Sequence, residues 1–347
     1  MTNLLQYKDD PEFNEYLDSI GGIFEIKNYF SAPASQVLYE MDVQAYIEDY
    51  NDYITQQKNN FVQKVIDRFP APIAFYFDQV EHGYENNFQR LHLLRSVWES
   101  IIYTFYALTL GEVVAKQINI STLRIFNNQL IKCDKNGLLG DRLGYKLEVI
   151  RKILKYDIDS LAPQLVVNSI LSLPLIDTLE ELNHERNSFS HIAALTESQA
   201  EDRCRELYPK VFDLLFNLKG LENISFIQFE KMYSAEEFKF FKFFGHSLRK
   251  RNYDKTLNLT FVQANLESFR QNVSFCEIQD SGEIICLSPF IHFILDEEKQ
   301  PKISFLKKQD PDDLNKFIFE QVRDSPREVR IESNIFDKSI HKLRALL

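Results

Sequence analysis

Residues 86–115 read NNFQRLHLLRSVWESIIYTFYALTLGEVVA. Phe88, Leu91, Leu94, Val97, Trp98, Ile101, Ile102, Phe105, Leu108 and Val113 recur at three- and four-residue spacing. That period predicts one long helix, because residues three and four apart share a helical face. Arg90, Arg95 and Glu99 fall between the apolar positions. The Phe and Tyr stripe and Trp98 read as core, and the helix as the centre of a bundle.

The same period extends to either side. Val37, Met41, Val43, Tyr46, Ile47, Tyr50, Tyr53, Ile54, Phe61, Val62, Val65 and Ile66 predict helix from about Ala34 to Arg68. Phe69-Pro70-Ala71-Pro72 then makes a corner, since proline removes a donor and restrains its predecessor. Downstream, helical pieces are expected at Leu123–Leu130, about Leu143–Lys155, and Ala162–Leu171. A further helix, capped by Asp177 or Thr178, carries Glu180 and Glu181 in its first turn. Glu197–Leu218 is another long helix, with Gly220 as its C-cap.

Beyond Gly220 the pattern turns to strands: Ile224–Ile227, Val273–Ile278, Glu283–Leu287 and Lys302–Leu306, with Asp280-Ser281-Gly282 as a hairpin turn. Asp296-Glu297-Glu298 reads as a hairpin tip. Asp310-Pro311-Asp312-Asp313 predicts a helix to about Val322, followed by a strand at Val329–Ile331 and a helix at Ile335–Leu346. The expected fold is mainly α, a helical bundle with a smaller C-terminal α+β domain. Its parts are an N-terminal helical segment (1–69), the bundle (70–220) and the α+β domain (221–347).

Composition narrows the function classes. A net charge of −11 disfavours a generic polyanion binder, although a local basic site is compatible with it. Cys133, Cys204, Cys276 and Cys286 are widely spaced and form no zinc-type pair, so reduced thiols and no metal are expected. The opening MTNLLQYKDDPEFNEY carries acids where a signal peptide needs a basic and then apolar run. No stretch reaches the roughly 18 uncharged apolar residues of a membrane span. A cytoplasmic protein without a membrane contact is expected. There is no Walker loop, dinucleotide glycine fingerprint, calcium loop or nucleophile elbow. His292 reads as a core residue.

One short run carries chemistry: Arg186-Asn187-Ser188-Phe189-Ser190-His191. Cleavage of RNA by its own 2′-OH needs a base, an acid and positive charge, but no metal. Histidine exchanges protons near neutral pH, and arginine grips phosphate through a bidentate fork. Asparagine can orient a hydroxyl or a phosphate oxygen. On a helix Asn187 and His191 share a face, which His184 joins. No other arginine in the chain is followed at this spacing by a histidine. The bland alternative is a surface ion pair of Arg186 with Glu181 or Glu185, with His191 capping a helix.

The run Leu182–His191 resembles the signature of HEPN domains, an all-α superfamily marked by Arg-x4–6-His. The resemblance covers about residues 70–220, with the long helix before the motif and a closing helix after it. It implies a metal-independent endoribonuclease without cofactor, of the kind found in toxin and antiviral defence systems, acting as a homodimer whose two motifs form one cleft. Arg186 would hold the phosphate, His191 would exchange the proton and Asn187 would support them. His184, outside the family motif, is a possible helper. No tyrosine follows His191, so the variant regulated at a tyrosine is not implied. The competing reading is a non-catalytic sensor or scaffold that docks onto a separate effector enzyme, a partner protein encoded nearby.

Phe238–Phe244, with Lys239 and Lys242, followed by Arg249-Lys250-Arg251, mixes rings and cations. It is a second candidate RNA contact, by base stacking and phosphate pairing. Its bland counterpart is an aromatic core element with a solvated basic end.

Overall fold

The structure, a computed structural model, describes residues 10–21, 23–26, 30–160, 162, 164–188, 195–232, 238–248, 251–252, 275–278 and 283–347. Two compact units are present, Met1–Lys64 and Val65–Leu347.

The first unit holds α1 (Pro11–Gly21), a β1–β2 pair (Ile23–Ile26, Phe30–Pro33), α2 (Ala34–Met41) and most of α3 (Val43–Arg68). Its core is small and aromatic. Phe13 and Tyr46 are fully buried, with ring centroids 5.2 Å apart, and the Tyr46 hydroxyl donates to Asn14 Oδ1 at 2.6 Å. Asp42 interrupts the expected continuous helix between α2 and α3. Its carboxylate accepts from the Ala45 N–H, capping the second helix.

The second unit begins at the proline corner. Pro70 stands at the N-terminus of α4 (Ala71–His82), and Asn86 caps α5 (Asn87–Ala115) by accepting from the Gln89 N–H. A β3–β4 hairpin (Arg124–Ile125, Gln129–Leu130) is followed by α6 (Leu143–Ile158), α7 (Leu173–Ser188) and α8 (Glu197–Asn217). From Val97 to Val113 every residue of α5 is buried. The helix is enclosed by α4, α6, α7, α8 and a sheet strand. It is therefore the axis of the unit, with no solvent face along that stretch.

Strands follow residue 223. One antiparallel sheet has the order β7-β6-β5-β8-β9, with β5 Ile224–Met232, β6 Phe238–Phe243, β7 Arg251–Asn252, β8 Phe275–Ile278 and β9 Glu283–Cys286. The second runs β10-β11-β12-β13: Ile291–Leu295, Pro301–Gln309, Lys316–Gln321 and Arg327–Glu332. A helix, α9 (Asp337–Arg344), ends the chain, and Ile120 N–H donates to Leu346 O just beyond it. The fold is thus mainly α with a C-terminal α+β part. The change of texture near residue 220 is a change of secondary structure within one compact unit; the division between the units falls at 64/65.

Both sheets pack against α5. A Cβ on Gly111 would lie 2.5 Å from Ile285 Cγ2 and 2.7 Å from Cys286 O, so only glycine lets β9 approach the helix this closely. On the other sheet Phe305 stacks on Tyr103, centroids 5.1 Å apart.

Five expectations are corrected. Leu123–Leu130 is a hairpin, because Asn127 and Asn128 adopt positive φ (53° and 63°), which ends a helix and which asparagine tolerates. Among its described residues Ala162–Leu171 holds a 3₁₀ turn at Val166–Ser169 in place of a helix, since N–H groups there are taken by the Glu112 and Asp157 carboxylates. The helix after it starts at Leu173, ahead of Asp177, with Pro174 in the first turn where no N–H is required. Asp310-Pro311-Asp312-Asp313 opens a turn into β12: Asp310 accepts from the Asp312 N–H and pairs with Arg330, and Phe317-Ile318-Phe319 continue as a buried strand. Likewise α8 ends at Asn217 and Gly220 lies in a 3₁₀ turn beyond it. The turn at Asp280-Ser281-Gly282 lies outside the described residues, while β8 and β9 pair antiparallel on either side of it.

One lysine of the core has no ion-pair partner among the described residues. Lys146 of α6 is 1% exposed, donates to Gly140 O at 2.8 Å, and sits 4.5 Å from the Tyr106 ring centroid and 5.5 Å from that of Tyr103. Burial, then the Lys307 charge, lower its pKa to about 7. The unfolded chain holds this proton up to its ordinary value near 10.5. Between the two pH values the unfolded state binds more protons, so stability rises with pH above about 7. Lys146→Met should remove a slope of at most about 1.4 kcal/mol per pH unit between pH 7 and 9. Urea unfolding across that range checks it; an unchanged slope in the variant contradicts the assignment.

Candidate active site

Arg186 lies in the last turn of α7. It does not pair with Glu181 or Glu185 of its own helix. Its Nε donates to Oε1 of Glu99 on α5 at 2.9 Å, and no other carboxylate among the described residues lies within ion-pair range of it. Glu99 is held between three cations. Arg95, one turn earlier on α5, donates its Nε–H to the same oxygen at 2.6 Å. Lys307 of β11 approaches Oε2 at 3.9 Å. The Glu99 side chain is 10% exposed and that of Arg186 31%. The carboxylate is therefore buried while the Arg186 side chain is partly exposed.

Behind Glu99 the network continues into the sheet. Lys307 lies 3.1 Å from Glu320 Oε1 on β12 and 5.1 Å from the Tyr103 ring centroid. Burial works against the Lys307 charge, but Tyr103, Glu320 and Glu99 outweigh it and raise its pKa. Burial also pushes the Tyr103 phenol up to about 12, so it stays neutral at physiological pH. The void among Tyr76, Glu99, Tyr103, Phe305 and Glu320 measures about 10 Å³. That is at most the space of one water.

The other residues of the run divide by position. Asn187 continues the α7 backbone, and nothing is described of its side chain. His191 lies outside the described residues. His184, two residues before Arg186, is exposed. A further imidazole stands on α5: His92, one turn before Arg95, has its pKa lowered by partial desolvation and by the Arg95 guanidinium, which favours the neutral ring. Sequence spacing did not single out His92, Glu99 or Lys307 as site residues. Glu99 carried one signal, a carboxylate inside an otherwise apolar helical run.

The second candidate region is partly assembled. Lys239 and Lys242 project from β6, which is a strand. The Lys239 ammonium lies 4.9 Å from the Phe241 ring centroid. Lys242 Nζ is 3.4 Å from Glu277 Oε2, a buried carboxylate, and 5.6 Å from the Phe244 ring centroid. Arg251 covers the same ring at 4.2 Å and is exposed. Arg249 and Lys250 lie outside the described residues. Of the three described cations at these rings, Lys242 thus has a structural duty, answering Glu277.

Other reactive groups are quiet. Burial pushes the Cys133 and Cys204 thiols up to about 11, which disfavours thiolates. Burial lowers His292 to about 4, and its ring packs against Phe336 and Phe319 as a neutral core residue. Among the described residues no group of three His, Cys, Asp or Glu is placed to hold a metal ion, and no helix is long and apolar enough to cross a membrane.

The chain matches no protein-family model, no curated protein and no solved structure.

The ion pair makes a quantitative expectation. Glu99 and Arg186 should couple by about 1 kcal/mol in a double-mutant cycle of Glu99→Gln and Arg186→Gln followed by urea unfolding, since one partner is buried and the other half-open. A coupling of zero would mean the pair does not form in solution.

Proposed function

We propose that this chain is a metal-independent endoribonuclease of the HEPN type. The observation that carries the reading is the presentation of Arg186. Arg186, at the C-terminal end of α7, is held by Glu99 and keeps about a third (31%) of its side chain exposed. An arginine that only stabilised the bundle would gain nothing from such exposure, whereas one that grips phosphate requires both a fixed position and an open face.

The chemistry follows from residue types. The substrate 2′-OH attacks the adjacent phosphorus as the bond to the 5′-oxygen breaks, leaving a 2′,3′-cyclic phosphate and a 5′-hydroxyl. The imidazole of His191 exchanges the proton, at the 2′-OH as base or at the leaving oxygen as acid. Arg186 neutralises the charge that accumulates on the phosphorane, and Asn187 orients an oxygen. A second copy of the motif in a homodimer supplies the partner acid or base. Lys239 and Arg251, beside the Phe241 and Phe244 rings, are with Arg249 and Lys250 of the same basic run a further RNA contact. A role as toxin or effector in antiviral defence is consistent with such an activity.

The Glu99 contact also favours a second reading. It offsets the Arg186 charge, as a purely structural pair would, and a non-catalytic sensor or scaffold docking onto a separate effector needs no more than that.

Purified protein incubated with RNA in EDTA separates the two. The nuclease reading expects cleavage with cyclic phosphate ends, reduced at least about 100-fold by Arg186→Ala and by His191→Ala. Cleavage that survives both substitutions refutes the site, and a folded dimer inert toward RNA under every condition supports the scaffold.

A further inference from the structure

The first unit contains a cavity that the nuclease reading does not use. It lies among α1, α2 and α3, with a volume of about 580 Å³. This is within the range of sites that hold a small organic molecule. Leu17, Val37 and Leu38 contribute apolar walls, and the rim carries Ile20 and Met41, which are 64% and 80% exposed. Large apolar side chains this exposed, gathered around one concavity, are a signature of ligand sites.

One wall is different. Asp49 and Asp52, three residues apart on α3, both line the cavity. Neither has an ion-pair or hydrogen-bond partner among the described residues, and no lysine or arginine stands among the described lining residues. Beside them Tyr16 and Tyr53 set their rings 5.0 Å apart, inclined at 37°, and both line the same space.

These features call for one ligand chemistry. Two carboxylates without counter-charge attract a cation. Aromatic faces attract one too, through the ring quadrupole, and most readily when the cation is weakly hydrated. Apolar walls disfavour a hydrated metal ion or a polyamine, whose charges would lose water without gaining partners. An organic anion would meet only like charge. We propose that this cavity binds an organic ammonium ion with an apolar body, its ammonium group at Asp49 and Asp52 beside the tyrosine rings and its body against Leu17, Val37 and Leu38.

Three matched probes test this on the full chain: 4-phenylbutylamine, 4-phenylbutanol and 4-phenylbutyrate, titrated by calorimetry at pH 7. The amine should bind saturably to one site, at least about tenfold more tightly than the carboxylate, with the alcohol between them. Asp49→Asn with Asp52→Asn should weaken the amine at least about fivefold and leave the alcohol unchanged. Both positions are exposed, so the amide variants should keep their fold, and thermal melting verifies it. Equal affinity for all three probes, an amine preference that survives the double variant, or no saturable amine binding would each overturn the proposal. RNA cleavage is not read in this experiment, so its outcome is independent of the nuclease assignment.

Discussion

A helix with no solvent face must answer its own charges inside the protein. α5 is buried on every side from Val97 to Val113, yet it contains two carboxylates. Glu112, fully buried, accepts from the Val166 and Val167 N–H groups at 2.9 Å each and from Lys116 at 2.9 Å. Glu99 is answered by Arg95, Arg186 and Lys307. An ionised carboxylate left alone in such a place is costly, so the groups that come to it are held there firmly. Glu112 thereby fixes the approach to α7, and through Lys116 also engages Glu283 of β9. Glu99 joins α7 on one side and β11 on the other. The packing of bundle and sheet around α5 and the placing of Arg186 have the same origin.

Much of this was legible in the chain. Apolar spacing located α5 within a residue or two, and the proline pair located the α3–α4 corner. Short elements were harder, because one or two residues decide them. Asp310-Pro311-Asp312-Asp313 has the composition of a helix N-terminus, but Arg330, from a distant strand, claims the Asp310 carboxylate and turns the segment toward a sheet. The Asn127-Asn128 turn is readable only if asparagine is allowed positive φ, in a stretch whose apolar residues fit a helix equally well. Spacing drew attention to Arg186. It could not reveal Glu99 as its partner, because that pairing depends on how α7 crosses α5, a tertiary fact with no local signal.

The proposed nuclease gains a physical basis from this arrangement. Arginine serves phosphate binding when its position is fixed and its charge is not wholly spent. Glu99 shares its charge with Arg95 and Lys307, so its hold on Arg186 is partial. Lys307 in turn leans on Glu320 of β12 and on the Tyr103 ring of α5, so a shift of β11 would change how much of Glu99 remains for Arg186. The β10–β13 sheet thus meets the candidate site through one shared carboxylate.

The most direct measurement is NMR of arginine side chains labelled at Nε. The Arg186 Nε–H should give a resonance protected from exchange by Glu99 and lost in Glu99→Gln. Titration with a 2′-O-methyl RNA oligonucleotide, which binds without being cleaved, should move that resonance saturably. An Arg186 signal that RNA leaves untouched, at concentrations where the RNA is otherwise bound, would contradict the placing of phosphate at this residue.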